Sequence, residues 1–151
     1  MSDNLYIGID LGGTNVRAGV VTSDGQILGH DRRPTEVQLG EEHSVGRIIE
    51  CAKAATSSAG LTPNDIRGVG IGSPGPLDCR EGLVLSPVNF PTWGTVPLVG
   101  LLSEAFNGVS GALDNDANVV AYGEKWLGAG RDTNNLLCIT LGTGVGGGVV
   151  C

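Results

Sequence analysis

The sequence predicts an α/β fold built on a mixed sheet. Three apolar segments open the chain, at Leu5–Ile9, Arg17–Thr22 and Gln26–Arg32. Ser23–Gly25 joins the second and third as a tight hairpin turn, so the sheet cannot be wholly parallel. This pattern disfavours a Rossmann domain, whose first strand leads directly into a helix. The rest of the chain alternates helical and strand patterns, which predicts helices flanking three antiparallel N-terminal strands.

The spacing of apolar residues predicts the helices and strands that follow the first three strands. A helix is predicted over His43–Ala59, where Gly60 follows as a stop. Two shorter helices are predicted from Pro97 to about Phe106 and from Ala117 to Leu127. Residues 77–95 are predicted as loops with a short hairpin. Strands are predicted at Ile66–Ile71, Gly111–Leu113, Leu136–Leu141 and Val145–Val150.

The composition is that of a folded acidic protein. Hydrophobic residues make up 40% and charged residues 17%, as in ordinary globular domains. The net charge is −7, and Lys and Arg form no cluster, which argues against nucleic acid and anionic membranes as partners. No basic segment leads into a long apolar run, so the expected location is the cytoplasm. The four cysteines form no CxxC pair and are expected to be reduced thiols.

Asp10–Asn15, with the sequence DLGGTN, is a candidate phosphate turn. A carboxylate at a strand end can hold a hydrated magnesium ion. Glycines let the backbone approach a phosphate, and their amides and the Thr14 hydroxyl can donate hydrogen bonds to it. An ordinary hairpin turn uses the same residue types, so this segment alone leaves both interpretations open.

A second glycine-rich segment, TLGTGVGGG, runs from Thr140 to Gly148. Glycines inside a strand indicate that another group approaches the backbone closely. Its GxGxxG match is weak evidence for a dinucleotide site, because a hairpin rather than a helix follows. Together with the first turn it suits a cleft between two similar lobes, and a plain glycine-rich hairpin is the alternative.

Asp114–Asn118, with the sequence DNDAN, lies between a predicted strand and a predicted helix. The carboxylate of Asp116 can accept a proton from a substrate hydroxyl. Asn115 can both donate to and accept from sugar hydroxyls. Asp and Asn are also favoured as helix N-caps, which is the structural alternative.

Two further segments suit a polar ligand. Gly72–Pro76, with the sequence GSPGP, offers small residues and free amides, and Asn89 can bind hydroxyl groups. Trp93 can stack on a sugar face or pack in the core, and the sequence leaves both open.

Together these motifs resemble the ROK family (repressors, open reading frames and kinases), which belongs to the actin-like, sugar-kinase and Hsp70 superfamily. The resemblance covers essentially the whole chain, and Asn89–Leu98 and Gly123–Gly130 are most similar to bacterial glucokinases. It implies an actin-like/ribonuclease H-like ATPase fold. Residues 1–133 would form the N-terminal sugar-kinase lobe, and residues 134–151 would begin the C-terminal nucleotide-binding lobe. A full-length homodimer is also implied.

The resemblance implies ATP-dependent phosphorylation of a hexose 6-hydroxyl, with glucose as the first candidate. Asp116 would be the general base, and Asp10 would hold Mg²⁺ through water. The sugar would be bound by Asn115, Asn89, Gly75 and Pro74, and ATP by Asp10, Gly12, Gly13, Thr14, Asn15, Thr143 and Gly144.

The resemblance also predicts what this sequence lacks. A ROK kinase is about twice as long, and its Glu-x-Gly-His segment and Cys/His zinc motif would follow Cys151. Structural zinc is therefore expected only there, and residues 1–151 alone are expected to be inactive. N-acetylglucosamine or N-acetylmannosamine kinases and non-catalytic sugar sensors remain alternatives. A repressor needs a helix-turn-helix domain before Asp10, for which nine residues leave no room. The paired Asn115 and Asp116 argue against an actin- or Hsp70-like ATPase.

Overall fold

The structure is a computed structural model that describes residues 4–141 and 144–151. Its helices are α1 (Glu41–Ser58), α2 (Leu98–Ala105) and α3 (Asp116–Trp126), with short 3₁₀ turns at Val37–Leu39 and Pro63–Asp65. The strands are β1 (Leu5–Leu11), β2 (Asn15–Thr22), β3 (Ile27–Pro34), β4 (Ile66–Ser73), β5 (Leu77–Asp78), β6 (Leu83–Leu85), β7 (Thr95–Val96), β8 (Ser110–Asn115), β9 (Leu136–Leu141) and β10 (Val145–Val150).

Five strands form the central sheet, in the order β3-β2-β1-β4-β8. The first three pair antiparallel, whereas β1 pairs parallel with β4 and β4 pairs parallel with β8. The predicted mixed sheet is confirmed. Because β1, β4 and β8 are parallel, their carboxyl ends meet at one edge, where ligand-binding loops of α/β sheets lie.

Alternation along the strands separates two faces of this sheet. On β1, Ile7, Ile9 and Leu11 are buried, whereas Gly8 and Asp10 are exposed. The buried side carries the main core and is covered by α1 and α2. Successive strand side chains point to opposite faces, so Asp10 lies on the face away from this core.

Helix α1 packs directly on the outer strands of the sheet. Its apolar side buries Ile48, Cys51 and Ala55 against the core. Gly29 on β3 permits this approach, because a Cβ there would lie 2.6 Å from the carbonyl oxygen of Ala55. The helix begins at Glu41, two residues before the prediction.

The segment predicted as loops with a short hairpin contains more structure. Strands β5, β6 and β7 form a small antiparallel sheet. Its centre is anchored in the core by Val84 and Val96, which are fully buried. Two and three residues are too few for a recognisable alternation, which is why the sequence predicted a short hairpin here and not a sheet of three strands.

Strands β9 and β10 form a separate hairpin that packs on α3. Within the described ranges, no helix has both the length and the apolar character that crossing a bilayer requires.

Candidate active site

Two aspartates lie at the carboxyl edge of the central sheet. In the strand registers, Asp10 pairs with Gly72 and Gly72 with Asp114. Adjacent strands are about 4.8 Å apart, which places the backbones of Asp10 and Asp114 about 10 Å from each other on one face. The sequence predicted a ligand role for Asp10 and none for Asp114.

The start of α3 presents Asp116 and Asn115. Asn115 caps the helix, and its Oδ1 accepts a hydrogen bond from the Ala117 N–H at 3.0 Å. Since Oδ1 is engaged, the Nδ2 amide is the part of Asn115 left to donate to a ligand. The Asp116 side chain is exposed, and its Oδ1 also accepts from the Ala117 N–H, at 2.8 Å. The capping and functional interpretations of this motif are therefore compatible.

Asp114 fixes the first turn of α3. Its Oδ1 accepts hydrogen bonds from the backbone N–H of Asn115 at 2.7 Å and from Nδ2 of Asn118 at 2.8 Å. These bonds tie the end of β8 to the first turn of the helix. They hold the peptide that carries Asn115 and Asp116 in a defined orientation.

A cavity of about 770 Å³ lies on the open face of the sheet, beside α3. Asp10 and Asp116, predicted separately from two motifs, both line it. Asp114, Arg17 and His30 line it as well. Much of the remaining wall comes from small residues on neighbouring strands, namely Gly8, Gly19, Gly70, Gly72 and Ala112.

Charge in this cavity is mainly negative. Asp10, Asp114 and Asp116 contribute three carboxylates, and Arg17 lies 3.5 Å from the Asp10 carboxylate. Both partners of this ion pair are well exposed, so it adds little to stability. It places a positive charge where the first phosphate turn begins.

The donor set at Asp10 suits Mg²⁺ held through water and phosphate. Mg²⁺ takes oxygen ligands and is commonly bound by one or two carboxylates together with waters and substrate phosphates. Asp10 supplies one accessible carboxylate at the strand end. The described part of the chain contains no group of three or more His, Cys, Asp or Glu side chains arranged to hold a metal by themselves.

The turn after β1 is held by a distant threonine. The Thr35 hydroxyl donates to the Gly12 carbonyl at 2.7 Å, and the Thr35 N–H donates to the Thr14 carbonyl at 3.0 Å. Within the turn, the Gly12 N–H donates to the Asn15 carbonyl at 3.0 Å. The N–H groups of Gly13 and Thr14 have no hydrogen-bond acceptor among the described residues. They remain available to an anion.

The predicted sugar segment contacts this turn. A Cβ on Gly13 would lie 3.6 Å from the Asn89 carbonyl oxygen, so the two predicted subsites adjoin. Asn89 is exposed. Trp93 is 4% exposed and packs against Phe90, with ring centroids 4.8 Å apart. Of the two alternatives that the sequence left open for Trp93, the structure supports core packing, because the core covers the faces of the ring.

Pro74 and Gly75 follow the end of β4, and the Gly75–Pro76 peptide bond is cis. Of the predicted sugar ligands, the described cavity is not lined by Pro74, Gly75, Asn89 or Asn115. Asn115 ends β8 at the carboxyl edge, Pro74 and Gly75 follow β4, and Asn89 lies between β6 and β7. Their role as sugar ligands stays a prediction.

The second glycine-rich turn is only partly described. Thr143 lies outside the described residues, and Gly144 is exposed immediately before β10. The close approach indicated by the later glycines is made by α3. A Cβ on Gly148 would lie 2.6 Å from the Ala117 carbonyl oxygen, and one on Gly146 would lie 3.0 Å from the Ala117 Cβ. Helix packing thus accounts for these two glycines.

The parallel strand ends, the glycine turn and the helix carrying Asp116 are features of an actin-like ATPase fold. Residues 6–151 match the ROK family. The chain belongs to that family, and the predicted fold class is confirmed.

Relatives with different names are similar to this chain in sequence. Glucokinase from Thermotoga maritima is 44% identical over 144 residues, covering 95% of this chain and 44% of that protein. The crystal structure of a ROK family glucokinase from Streptomyces griseus with glucose and AMPPNP is 37% identical with a TM-score of 0.84, covering 97% of this chain and 44% of that one. The xylose repressor of Caldicellulosiruptor bescii is 30% identical over 144 residues, covering 95% and 36%. The chain thus spans less than half of each.

Sequence reasoning missed three residues at this site. Arg17 was detectable, because pairing the first two strands as a hairpin places it opposite Asp10. Asp114 was noticed only as part of a motif and given no role. Thr35 carried no local signal, since its bond to Gly12 spans 23 residues.

Proposed function

We propose that the protein carrying this chain transfers the γ-phosphoryl group of ATP to the 6-hydroxyl of a hexose, with glucose as substrate. The observation that carries the proposal is that Asp116 and Asp10 line one cavity. The relatives named glucokinases support the substrate, and the complex with glucose and AMPPNP, an ATP analogue, supports the pair of ligands.

The acceptor hydroxyl is activated by Asp116. Its accessible carboxylate takes the hydroxyl proton as the sugar oxygen attacks phosphorus. Asn115, whose oxygen is engaged by the helix cap, donates its amide hydrogens to a neighbouring sugar hydroxyl. Asn89, Pro74 and Gly75 complete the sugar site from the segments beside the sheet edge.

The nucleotide is held from the turn after β1. The free N–H groups of Gly13 and Thr14 bind phosphate oxygens, and Gly12 and Asn15 shape the turn. Magnesium, bound through water to Asp10, would neutralise charge on the phosphates. Thr143 and Gly144 would contact the phosphates from the opposite lobe. Most of the rate enhancement would come from positioning and charge neutralisation.

The division of the chain is part of this proposal. Residues 1–133 form the sugar-kinase lobe and residues 134–151 begin the nucleotide-binding lobe, consistent with the separate β9–β10 sheet. Residues 1–151 alone would lack catalytic activity, because the other lobe supplies the rest of the nucleotide site. We further propose that the full-length protein is a homodimer, as the family resemblance implies, and that it is located in the cytoplasm.

A sugar-responsive regulator is the second candidate. The similarity to a xylose repressor favours it, since that protein is 30% identical over an alignment that covers 95% of this chain. Such a protein would bind sugar and transfer no phosphate. The accessible Asp116 in the shared cavity favours the kinase.

A coupled ADP-release assay on the full-length protein tests the two candidates. Glucose, mannose, fructose, N-acetylglucosamine and N-acetylmannosamine are supplied in turn with MgATP, and sugar binding is measured calorimetrically. We expect glucose-dependent turnover. Turnover only with an N-acetylhexosamine would correct the substrate, and glucose binding without ADP release would favour the regulator.

A further inference from the structure

Thr35 contacts the phosphate turn from the end of β3 and is fully buried. Its hydroxyl donates to the Gly12 carbonyl at 2.7 Å, and its backbone N–H donates to the Thr14 carbonyl at 3.0 Å. These bonds therefore hold two carbonyls of a four-residue turn from outside that turn.

The bond to Gly12 controls a neighbouring N–H group. In a planar trans peptide, the carbonyl of one residue and the N–H of the next point in opposite directions. When the Gly12 carbonyl points toward Thr35, the Gly13 N–H points away from it. Gly13 N–H is also one of the two turn donors without an acceptor among the described residues.

The turn needs such a restraint because Gly12 and Gly13 are adjacent. Glycine reaches left-handed and extended conformations at little steric cost, so the peptide between two glycines flips easily. A flipped peptide would present the Gly12 carbonyl where the Gly13 N–H had been, and an oxygen dipole would repel a phosphate oxygen.

We propose that Thr35 is a positioning residue that fixes the Gly12–Gly13 peptide with its N–H toward the nucleotide phosphates. The inference rests on the proposed kinase function. It concerns the nucleotide and not the sugar, because the bonds of Thr35 go to Gly12 and Thr14.

Comparable hydrogen bonds restrain the predicted sugar segment, and their acceptors, Val37 and Glu41, follow Thr35 along the chain. The Thr92 hydroxyl donates to the Val37 carbonyl at 2.6 Å, and the Gly94 N–H donates to Glu41 Oε2 at 3.1 Å. These bonds attach the segment that follows Asn89. Thr35 and Thr92 thus offer two hydroxyl deletions with different expected effects.

The test compares Thr35→Val with Thr56→Val in the full-length protein. Both residues are buried, and the Thr56 hydroxyl donates to the Ala52 carbonyl at 2.9 Å inside α1, away from the turn. Thr35→Val should raise KM for ATP about tenfold and weaken AMPPNP binding equally, with KM for glucose within about twofold of wild type. Thr35→Ser should restore ATP affinity to within about threefold.

Thr92→Val should show the reverse pattern, affecting KM for glucose more than KM for ATP. Wild-type ATP affinity in Thr35→Val would overturn the proposal. An equal loss of ATP affinity in Thr56→Val would also overturn it, by showing a general effect of stability. A Thr35→Ser variant that does not regain ATP affinity would overturn it too, because the hydroxyl would then not be the group responsible. If Thr35→Val does not fold, Thr35→Ala is compared with Thr35→Ser. Absence of sugar phosphorylation by wild type would reject the kinase function, while AMPPNP binding would still test Thr35.

Discussion

The two faces of the central sheet are built from the same strands and have opposite characters. On β1, Ile7 and Ile9 are no more than 4% exposed, whereas Gly8 and Asp10 between and after them are exposed. The covered face holds branched apolar side chains beneath α1 and α2. The cavity on the open face is lined by glycines and carboxylates together with exposed apolar side chains, among them Ile27, Val119 and Tyr122.

This difference teaches how stability and chemistry are separated within one strand. Burial of apolar side chains on the covered face favours folding. The open face leaves space beside the carboxyl edge, where Asp10 and Asp116 line the cavity. Substitutions on one face should therefore change stability, and substitutions on the other should change activity.

The largest expected effect is that of Asp116→Asn. The amide keeps the shape and loses the ability to accept a proton, so turnover should fall at least about a hundredfold with glucose affinity largely kept. Steady-state kinetics and calorimetric glucose binding measure this. Asp132→Asn, an equally conservative change at an exposed carboxylate outside the cavity, is the control. Near-normal turnover of Asp116→Asn would remove it as the base.

The covered face is tested by Ile7→Ala beside Tyr6→Ala. Ile7 is 1% exposed and Tyr6 is 39% exposed on the opposite face of the same strand. Ile7→Ala should lower the free energy of unfolding by about 2–4 kcal/mol, because it removes transfer free energy and leaves a cavity. Tyr6→Ala should cost less than about 1 kcal/mol. Urea denaturation followed by circular dichroism gives both values, and equal losses would contradict the assigned faces.

The comparison also shows what the sequence could reveal. Alternation and the Ser23–Gly25 turn were enough for the antiparallel start of the sheet, because both are local patterns. Asp10 and Asp116 were found by motif, since a strand end followed by glycine or by a helix start has a recognisable composition. The fold class and two cavity residues were thus predictable from the sequence.

Other features depend on contacts between distant parts of the chain. The Thr35 bond to Gly12 and the approach of α3 to Gly148 join segments with no shared local pattern. Trp93 shows the converse, because the composition of its segment suited a sugar site while Phe90 and the core cover its ring. Tertiary packing decided each of these cases.

Charge on the open face is tested by Arg17→Gln beside Arg32→Gln. These residues pair across β2 and β3, but Arg17 lines the cavity and Arg32 does not contribute to its described wall. Removing Arg17 leaves the three carboxylates without their neighbouring cation, so KM for ATP should rise about fivefold to tenfold at low salt. The increase should shrink at high salt as screening grows. An equal effect of Arg32→Gln would mean that only net charge matters.

Thiol reactivity tests the covered face without any substitution. Cys51 lies on the covered face, where burial and the neighbouring Asp31 raise the pKa of its thiol to about 11, whereas Cys79 is exposed. The raised pKa leaves about one Cys51 thiol in a thousand ionised at pH 8, and thiolate is the reactive form. The pKa of the Cys79 thiol is also raised, by partial burial and by Asp114 and Asp78, so the difference depends on access as well as on ionisation. Cys79 should react with a maleimide at least about tenfold faster, as followed by mass spectrometry of the separate peptides.

Denaturant should abolish this difference, because unfolding exposes Cys51 and returns its pKa toward the ordinary value. Equal labelling in the native protein would show that the covered face opens on the timescale of the reaction. The separation between the two faces would then be one of average exposure and not of stable burial. A persistent difference would make Cys51 a reporter of unfolding in every variant above, so that losses of activity on the open face can be distinguished from losses of fold.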